Sequence, residues 1–388
     1  MEKPVLLRIT TVPISLHLLL RGQFRFMREQ GFEVYTLSSD GKEVGEVTAE
    51  GVPHIAVTLT RKITPVQDLI SVISLIRIMR RIRPSIVHTH TPKAGLLGMM
   101  AAWICRVPLR MHTVAGLPLM EARGLKRRLL VATEKITYAC AHRVYPNSEG
   151  LKKYMLGALN VSPARISMIG KGSSNGIDSG FFMPTGDLKQ QAAAIREKYG
   201  IGKDDMVFSF VGRIVKDKGM RELVSAFRSM ETDGTYKIHL LLIGPFEQEL
   251  DPLDEADYTF LTTDPRVTLA GFQRDVRPWL MASDIFVFPS YREGFPNVVM
   301  QASCLEIPCV VSDINGCNEI IQHGQTGLVV PVKDAAALKA AMTDLTQSEA
   351  KRQQFAQAAR AHVVANFDQQ YVWKELKNEY LERLQQEA

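Results

Sequence analysis

Two hydrophobic rhythms alternate along the chain. Short runs of β-branched and aromatic residues are separated by longer stretches whose apolar positions return every three or four residues. In the first half the strand-like runs are VLLRITT (5–11), EVYTLS (33–38), SIVHTH (85–90), LRMHTV (109–114), HRVYPN (142–147) and RISMIG (165–170). In the second half they are VFSFVG (207–212), KIHLLLIG (237–244), RVTLAG (266–271), DIFVFPS (284–290) and IPCVVSD (307–313). Strand, helix, strand at this spacing predicts an α/β protein built on doubly wound parallel sheets with helices on both faces. A length of 388 residues suits two such domains. The stretch 178–200, with Pro184 and Gly186 ahead of QQAAAIREKYG, reads as their linker. No repeat of fixed period occurs, and the last thirty residues read as helix throughout.

Composition narrows the class. Apolar residues make up 46% of the chain, enough for well-packed cores. The five cysteines (105, 140, 304, 309, 317) are scattered and form no C-x-x-C pair, so unreactive thiols in a reducing cytoplasm are expected. The N-terminus has no signal-peptide pattern, and no uncharged run approaches the ~20 apolar residues of a membrane span. Charge is unevenly divided. Residues 1–170 carry 24 Lys and Arg against 11 Asp and Glu, a net of +13, which leaves −7 for the rest. A basic first half predicts an anionic partner there. Nucleic acid is disfavoured, because no recognition fold or aromatic interleaving accompanies the charge.

Ligands of doubly wound domains bind beyond the carboxyl ends of parallel strands. After 207–211 comes GRIVKDKGMRELVSAF. Gly212 permits a tight exit, and Arg213 and Lys218 bracket a short loop. A guanidinium fork and a mobile ammonium together suit a diphosphate; as isolated residues they read equally well as solvated charges. After 284–290 comes the loop REGFP, then a helix for which Asn297 is the expected N-cap. Free amides at that start can receive phosphate oxygens. A carboxylate at Glu293 would repel phosphate, so accepting bonds from neutral hydroxyls is its better role, with an exposed structural acid as the alternative. Gly294 and Pro296 fix the turn. Farther on, Asn315, Gly316 and Cys317 in SDINGCNEII are placed to offer amides to the same ligand, and Glu319 is expected to face solvent.

These pieces, in this order, resemble the retaining glycosyltransferases of family 4. The matching text is VGRIVKDKG, DIFVFPSYREGFPNVVMQA, VVSDINGCNEII and GQTGLVV, supported by HTHTPKAGLLG, HTVAG and SSNGID in the first half. The resemblance implies the GT-B fold, two Rossmann-like domains facing a cleft. Domain 1–180 would face acceptor and membrane, 181–367 would bind the nucleotide sugar, and the helix 368–388 would cross back to the first domain. The family subset is similar to transferases that build capsule, O-antigen or glycan units on polyprenyl diphosphate. A UDP-sugar donor (N-acetylhexosamine or hexose, with GDP open), no cofactor and no metal are implied. Arg213 and Lys218 match the diphosphate pair, and Glu293 the first acid of a Glu-x7-Glu motif that holds the donor sugar. Gly212, Gly294, Phe295, Pro296, Asn297, Val298 and Gln301 complete the expected donor site. His112 matches a histidine near the reacting carbon. The expected catalytic set is Glu293, His112, Arg213 and Lys218. Gln301 departs from the motif, whose second acid accepts from ribose. An amide still accepts, but a neutral bond contributes about 0.5–1.5 kcal/mol against about 1.5–3 for a charged one, so donor affinity should fall roughly fivefold.

No acid is an obvious covalent nucleophile, so front-face substitution is expected, with diphosphate leaving toward Arg213 and Lys218. His88 and His90 share one face of a strand, yet lack a third ligand, so hydrogen bonding is preferred over metal. Two basic stretches are candidates for an anionic membrane surface: 69–84, with Arg77, Arg80, Arg81 and Arg83, and 121–135, with Arg123, Lys126, Arg127 and Arg128. An ordinary core-facing helix with a basic rim is the competing reading, favoured for 69–84. A peripheral enzyme on the inner face of the cytoplasmic membrane follows. The alternatives are a non-catalytic sugar- or lipid-binding subunit and a GT-B hydrolysing epimerase.

Overall fold

Every residue of IVHTH is buried, as befits a parallel strand covered on both faces. The computed structural model describes residues 3–60, 64–120, 122–231, 234, 237–247, 249 and 251–387. The chain divides into two compact units, Met1–Gly176 with Gln369–Ala388, and Ile177–Asp368. The first holds β1 (Val5–Ile9), β2 (Glu33–Ser38), β3 (His54–Ala56), β4 (Ile86–His90), β5 (Leu109–Val114) and β6 (Arg143–Pro146). All pair in parallel, in the order β3-β2-β1-β4-β5-β6. The second holds β7 (Met206–Val211), β8 (Ile238–Ile243), β9 (Val267–Gly271), β10 (Ile285–Phe288), β11 (Cys309–Ser312) and β12 (Gly327–Val330), in the order β12-β11-β10-β7-β8-β9. Both sheets therefore share one topology. The order reverses between the first and fourth strands of each unit, at β1/β4 and at β7/β10, where such folds open a crevice.

Alternation along β1 sends Leu7 and Ile9 to one core and Leu6 to the other. The second core is closed by the helix Gln369–Glu387, whose Val372, Leu376 and Tyr380 recur at four-residue spacing and pack with Leu6, Phe24 and Met111. Burying each contributes about 1.5–3 kcal/mol, which fastens the last helix to the first unit.

Several expectations are corrected. RISMIG is no strand: the described backbone makes a short turn at Pro163–Arg165 and a single bridge from Val144 to Ile166. Edge strands β3 and β12 were not anticipated. The stretch 178–200 is not a free linker, because Phe182, Leu188 and Ala192 are buried in the second unit's core. Asn297 is the first helical residue, and Pro296 occupies the N-cap position with no side-chain cap bond.

Candidate active site

The loops leaving β7 and β8 run side by side, with the Ile214 N–H donating to the Pro245 carbonyl at 2.8 Å. That pairing sets Arg213 beside Glu247, Nη1 to Oε2 2.9 Å. The bond holds the guanidinium pKa above its ordinary value. The β7 loop then makes one tight turn, Lys216–Lys218, and reverses at Gly219. Gly219 has φ 73°, and a Cβ there would lie 2.0 Å from the Pro289 carbonyl oxygen. Only glycine allows the β7 loop to meet the β10 loop this closely. The contact is sealed by the Tyr291 N–H donating to the Asp217 carbonyl at 2.9 Å and by Arg292 reaching Asp217 at 2.9 Å.

Lys218 and Glu293 consequently meet across the β7/β10 switch point, in a direct ion pair from Nζ to Oε1. Their side chains are only 14% and 20% exposed. The Ser290 hydroxyl lies 3.2 Å from the same Oε1, which leaves Oε2 for another donor. Tyr291 is anchored below, its hydroxyl donating to Glu222 at 2.6 Å. Gly316, at φ 75°, brings the turn before Cys317–Ile320 against the Gly294 carbonyl; a Cβ would sit 2.8 Å from that oxygen. Glu319 does not simply face solvent, since its Oε1 accepts from the Gly316 N–H at 3.4 Å. Cys317 is buried beside Glu293, and burial chiefly, then that carboxylate, pushes its thiol well up.

The expected donor residues thus separate. Arg213, Lys218 and Glu293 come together, with Gly212 at the strand exit. Phe295 and Pro296 turn inward, Phe295 packing on Phe367 at 5.1 Å, so their side chains are structural. Asn297 and Val298 are half-buried at the start of the helix Asn297–Cys304, and Gln301 is half-buried one turn later. Glu247 was missed, although it stands three residues past a strand-exit glycine, the same signal that pointed to Arg213.

In the first unit His112 is corrected. It lies within β5, 2% exposed, with Nδ1 2.8 Å from the Thr89 hydroxyl and its ring against Gly95. Burial lowers its pKa to about 4. Ala115 and Gly116, not His112, follow the strand end. His88 and His90 are also buried and hydrogen-bonded, and they stack at 4.5 Å. Residues 123–129, including Arg123, Lys126, Arg127 and Arg128, are exposed without interruption at the start of the helix Gly124–Cys140. Leu125 there is 82% exposed. The helix Pro65–Ile82 packs through Val72, Leu75 and Met79, yet carries a second apolar stripe, Val66, Leu69, Ile70 and Ile73, in solvent. The competing reading of that helix is therefore incomplete. Burial pushes the Cys304 and Cys309 thiols up to about 12.

Two Rossmann-like units, the second gathering cations and carboxylates on the loops at its switch point, are the layout of the GT-B class. Structures of that class superimpose along nearly the whole chain. A glycosyltransferase from Rickettsia africae aligns with a TM-score of 0.82 at 18% identity, over 99% of both chains. HepE of Anabaena in complex with UDP gives 0.81 at 17% identity, over 98% of this chain and 100% of that one. The models for glycosyl transferases group 1 and for the glycosyl transferase 4-like domain match residues 191–362 and 20–172. The chain belongs to this glycosyltransferase family. A capsular polysaccharide biosynthesis glycosyltransferase of Staphylococcus aureus, CapM, is 35% identical over 381 residues, 98% of this chain and 97% of its own. The UDP-Gal:alpha-D-GlcNAc-diphosphoundecaprenol alpha-1,3-galactosyltransferase of Escherichia coli is 27% identical over 332 residues, 84% of this chain and 83% of its own.

Proposed function

We propose that this glycosyltransferase moves a hexose or N-acetylhexosamine from a UDP-sugar to a polyprenyl-diphosphate-linked saccharide, with retention and without a metal, during surface-polysaccharide assembly. The observation that carries this reading is the meeting of Lys218 and Glu293 beside Arg213 at the β7/β10 switch point. Similarity to the E. coli enzyme over 84% of this chain supports the acceptor class, and similarity to the S. aureus enzyme over 98% supports the polysaccharide setting.

The donor diphosphate takes Arg213 and Lys218 as its cations, and the uncapped start of the helix Asn297–Cys304 adds amides. Glu293 orients Lys218 through Oε1 and accepts a sugar hydroxyl through Oε2. As the anomeric bond breaks, charge grows on the departing diphosphate, where these donors already stand. The acceptor hydroxyl attacks from the same face and passes its proton to a leaving phosphate oxygen. Gln301 accepts from ribose as a neutral amide. His112 acts through packing.

The acceptor is embedded in a bilayer, and no helix among the described residues is long and apolar enough to cross one. Residues 123–129 and the 66–73 stripe offer cations and exposed leucine, isoleucine and valine to an anionic surface. The deciding assay is a nucleotide-sugar panel with a polyprenyl-diphosphate-linked acceptor, read by mass, with the product anomer read by NMR. Transfer with retained configuration is expected. Neither transfer nor donor hydrolysis from any donor, or UDP bound in a soaked crystal away from residues 213, 218 and 293, would overturn the reading.

A further inference from the structure

The first unit repeats the topology of the second, and at its own switch point stands an unexplained buried cation. Arg8 on β1 is fully buried, and no carboxylate among the described residues pairs with it. Buried charges are ordinarily paired. Its Nη1 donates to the Tyr380 hydroxyl at 2.7 Å, and its Nη2 lies 2.7 Å from His90 Nε2. Its Nε has no partner, nor has His90 Nδ1.

Proton positions follow from these contacts. A guanidinium only donates, so His90 Nε2 accepts and the His90 proton resides on Nδ1. Tyr380 accepts from Arg8 and therefore donates to His88 Nδ1, 2.6 Å away. His88 must then donate from Nε2 to the Thr113 hydroxyl at 2.7 Å, which leaves the Thr113 proton for another acceptor. The Ser173 hydroxyl accepts from the Asn175 and Gly176 amides, at 3.4 and 3.0 Å, so its proton too is available. Arg8, His90, Thr113 and Ser173 line one pocket of about 310 Å³, counting its open mouth, together with Asn147 and Ser174. One wall of it is the last helix, through Val372 and Leu376. Four donors and a positive charge without a carboxylate converge here, beside Asn147 Oδ1, an acceptor that has no partner of its own.

We propose that this pocket is an oxyanion site, and that it receives a phosphate group of the acceptor. Arg8 supplies the charge, and His90, Thr113 and Ser173 supply neutral donors. The enclosed space of the whole pocket is that of about one water-sized group, so one phosphate oxygen enters it and the rest of the group stays at the open mouth. The acceptor assignment rests on the transfer reaction proposed above; the binding of phosphate does not.

The test uses the full chain and two variants. His90→Gln keeps an acceptor for Arg8 through Oε1 and deletes the Nδ1 donor; Arg8→Met deletes the charge. Inorganic phosphate binding is followed by ³¹P line broadening in an Arg213→Ala/Lys218→Ala background, which removes the two cations of the proposed diphosphate site. Steady-state kinetics of each single variant give the donor and acceptor KM separately. Expected are loss of phosphate broadening and an acceptor KM raised about tenfold, the size of one hydrogen bond to a charged group, with donor KM within twofold. Lost broadening with an unmoved acceptor KM would keep the oxyanion site and assign it to free phosphate. Intact broadening in both variants, or donor and acceptor KM rising together, overturns the proposal.

Discussion

Glu293→Gln tests the centre of the proposed mechanism. The substitution keeps shape and removes charge. In the resting enzyme it replaces the Lys218 ion pair by a neutral contact, at a site where both side chains are at most one-fifth exposed. A charge-assisted bond contributes about 1.5–3 kcal/mol and a neutral one about 0.5–1.5, so each bond made by this carboxylate weakens by about 1–1.5 kcal/mol. Two such bonds bear on the reaction: the one that aims Lys218 at the diphosphate, and the one to the donor sugar. Together they amount to about 2–3 kcal/mol, or roughly a 30- to 150-fold fall in kcat/KM. The same substitution should cost about 1 kcal/mol of folding stability, read as a melting shift of about 2–4 °C. Gln301→Glu is the companion. It restores charge assistance toward ribose, remote from the breaking bond, so donor KM should fall about fivefold with kcat unchanged. Both are measured with purified enzyme, defined acceptor and varied donor. If Glu293→Gln retained activity within threefold while Gln301→Glu altered kcat by more, the two roles would have to be exchanged or abandoned.

Three further outcomes are expected. Reversing the charges at Lys126, Arg127 and Arg128 should weaken sedimentation with phosphatidylserine vesicles by at least about a hundredfold, the loss of three cations at about 1 kcal/mol each; unchanged sedimentation would remove residues 123–129 from the membrane surface. Gly219→Ala forces a side chain into a left-handed backbone and to 2.0 Å from a carbonyl oxygen, so it should lower stability by at least about 2 kcal/mol, and a wild-type melting curve would contradict the loop contact. Stability should fall as pH drops. His112 is held at about 4 by burial, and His88 and His90 are held well below the usual range, so the unfolded chain binds more protons between about 6.5 and 4. Glu134 opposes them, because burial raises its pKa to about 7 and its contribution is lost as pH rises through that value. Burial also lowers His54 and His142, which act with the other histidines, and raises Glu50, which acts with Glu134. Melting temperature should therefore decline from pH 7 to 5, and Glu134→Gln should steepen the decline.

What the sequence made legible, and what it hid, divides along chain distance. Strands β7, β8 and β10 are read easily because they are largely apolar runs that end at a glycine or a proline. The strand β3 has only HIA and β12 only GLVV, and both lie at sheet edges, where one neighbour suffices and the hydrophobic signal is short. RISMIG has the right alternation but finds a single bridge partner, so local pattern alone misleads. In the site, Arg213, Lys218 and Glu293 announce themselves as polar residues just past strand ends. Their pairing does not, because Lys218 and Glu293 are 75 positions apart, and only the β7–β10 register and the close approach at Gly219 bring them together. The burial of His112 is hidden in the sequence for a related reason. HTVAG places a histidine near a strand end, yet its burial depends on Gly95 in another helix leaving room for the ring.

Arg8, His88 and His90 carry the same logic further. Alternation alone puts the two histidines on one face of a strand, and an arginine inside an apolar first strand is an anomaly visible in VLLRITT. What covers that face is a tyrosine 372 positions later, on a helix at the far end of the chain. A solvated face would need no explanation for such residues. A covered one must supply each of them with partners, and here the protein supplies partners for only part of the donors. Both units reverse strand order between their first and fourth strands, but Arg8, His88 and His90 lie within β1 and β4, whereas Arg213, Lys218 and Glu293 lie on the loops beyond β7 and β10. The proposed oxyanion site is therefore walled by strand residues under the last helix, and the proposed diphosphate site by loops past strand ends.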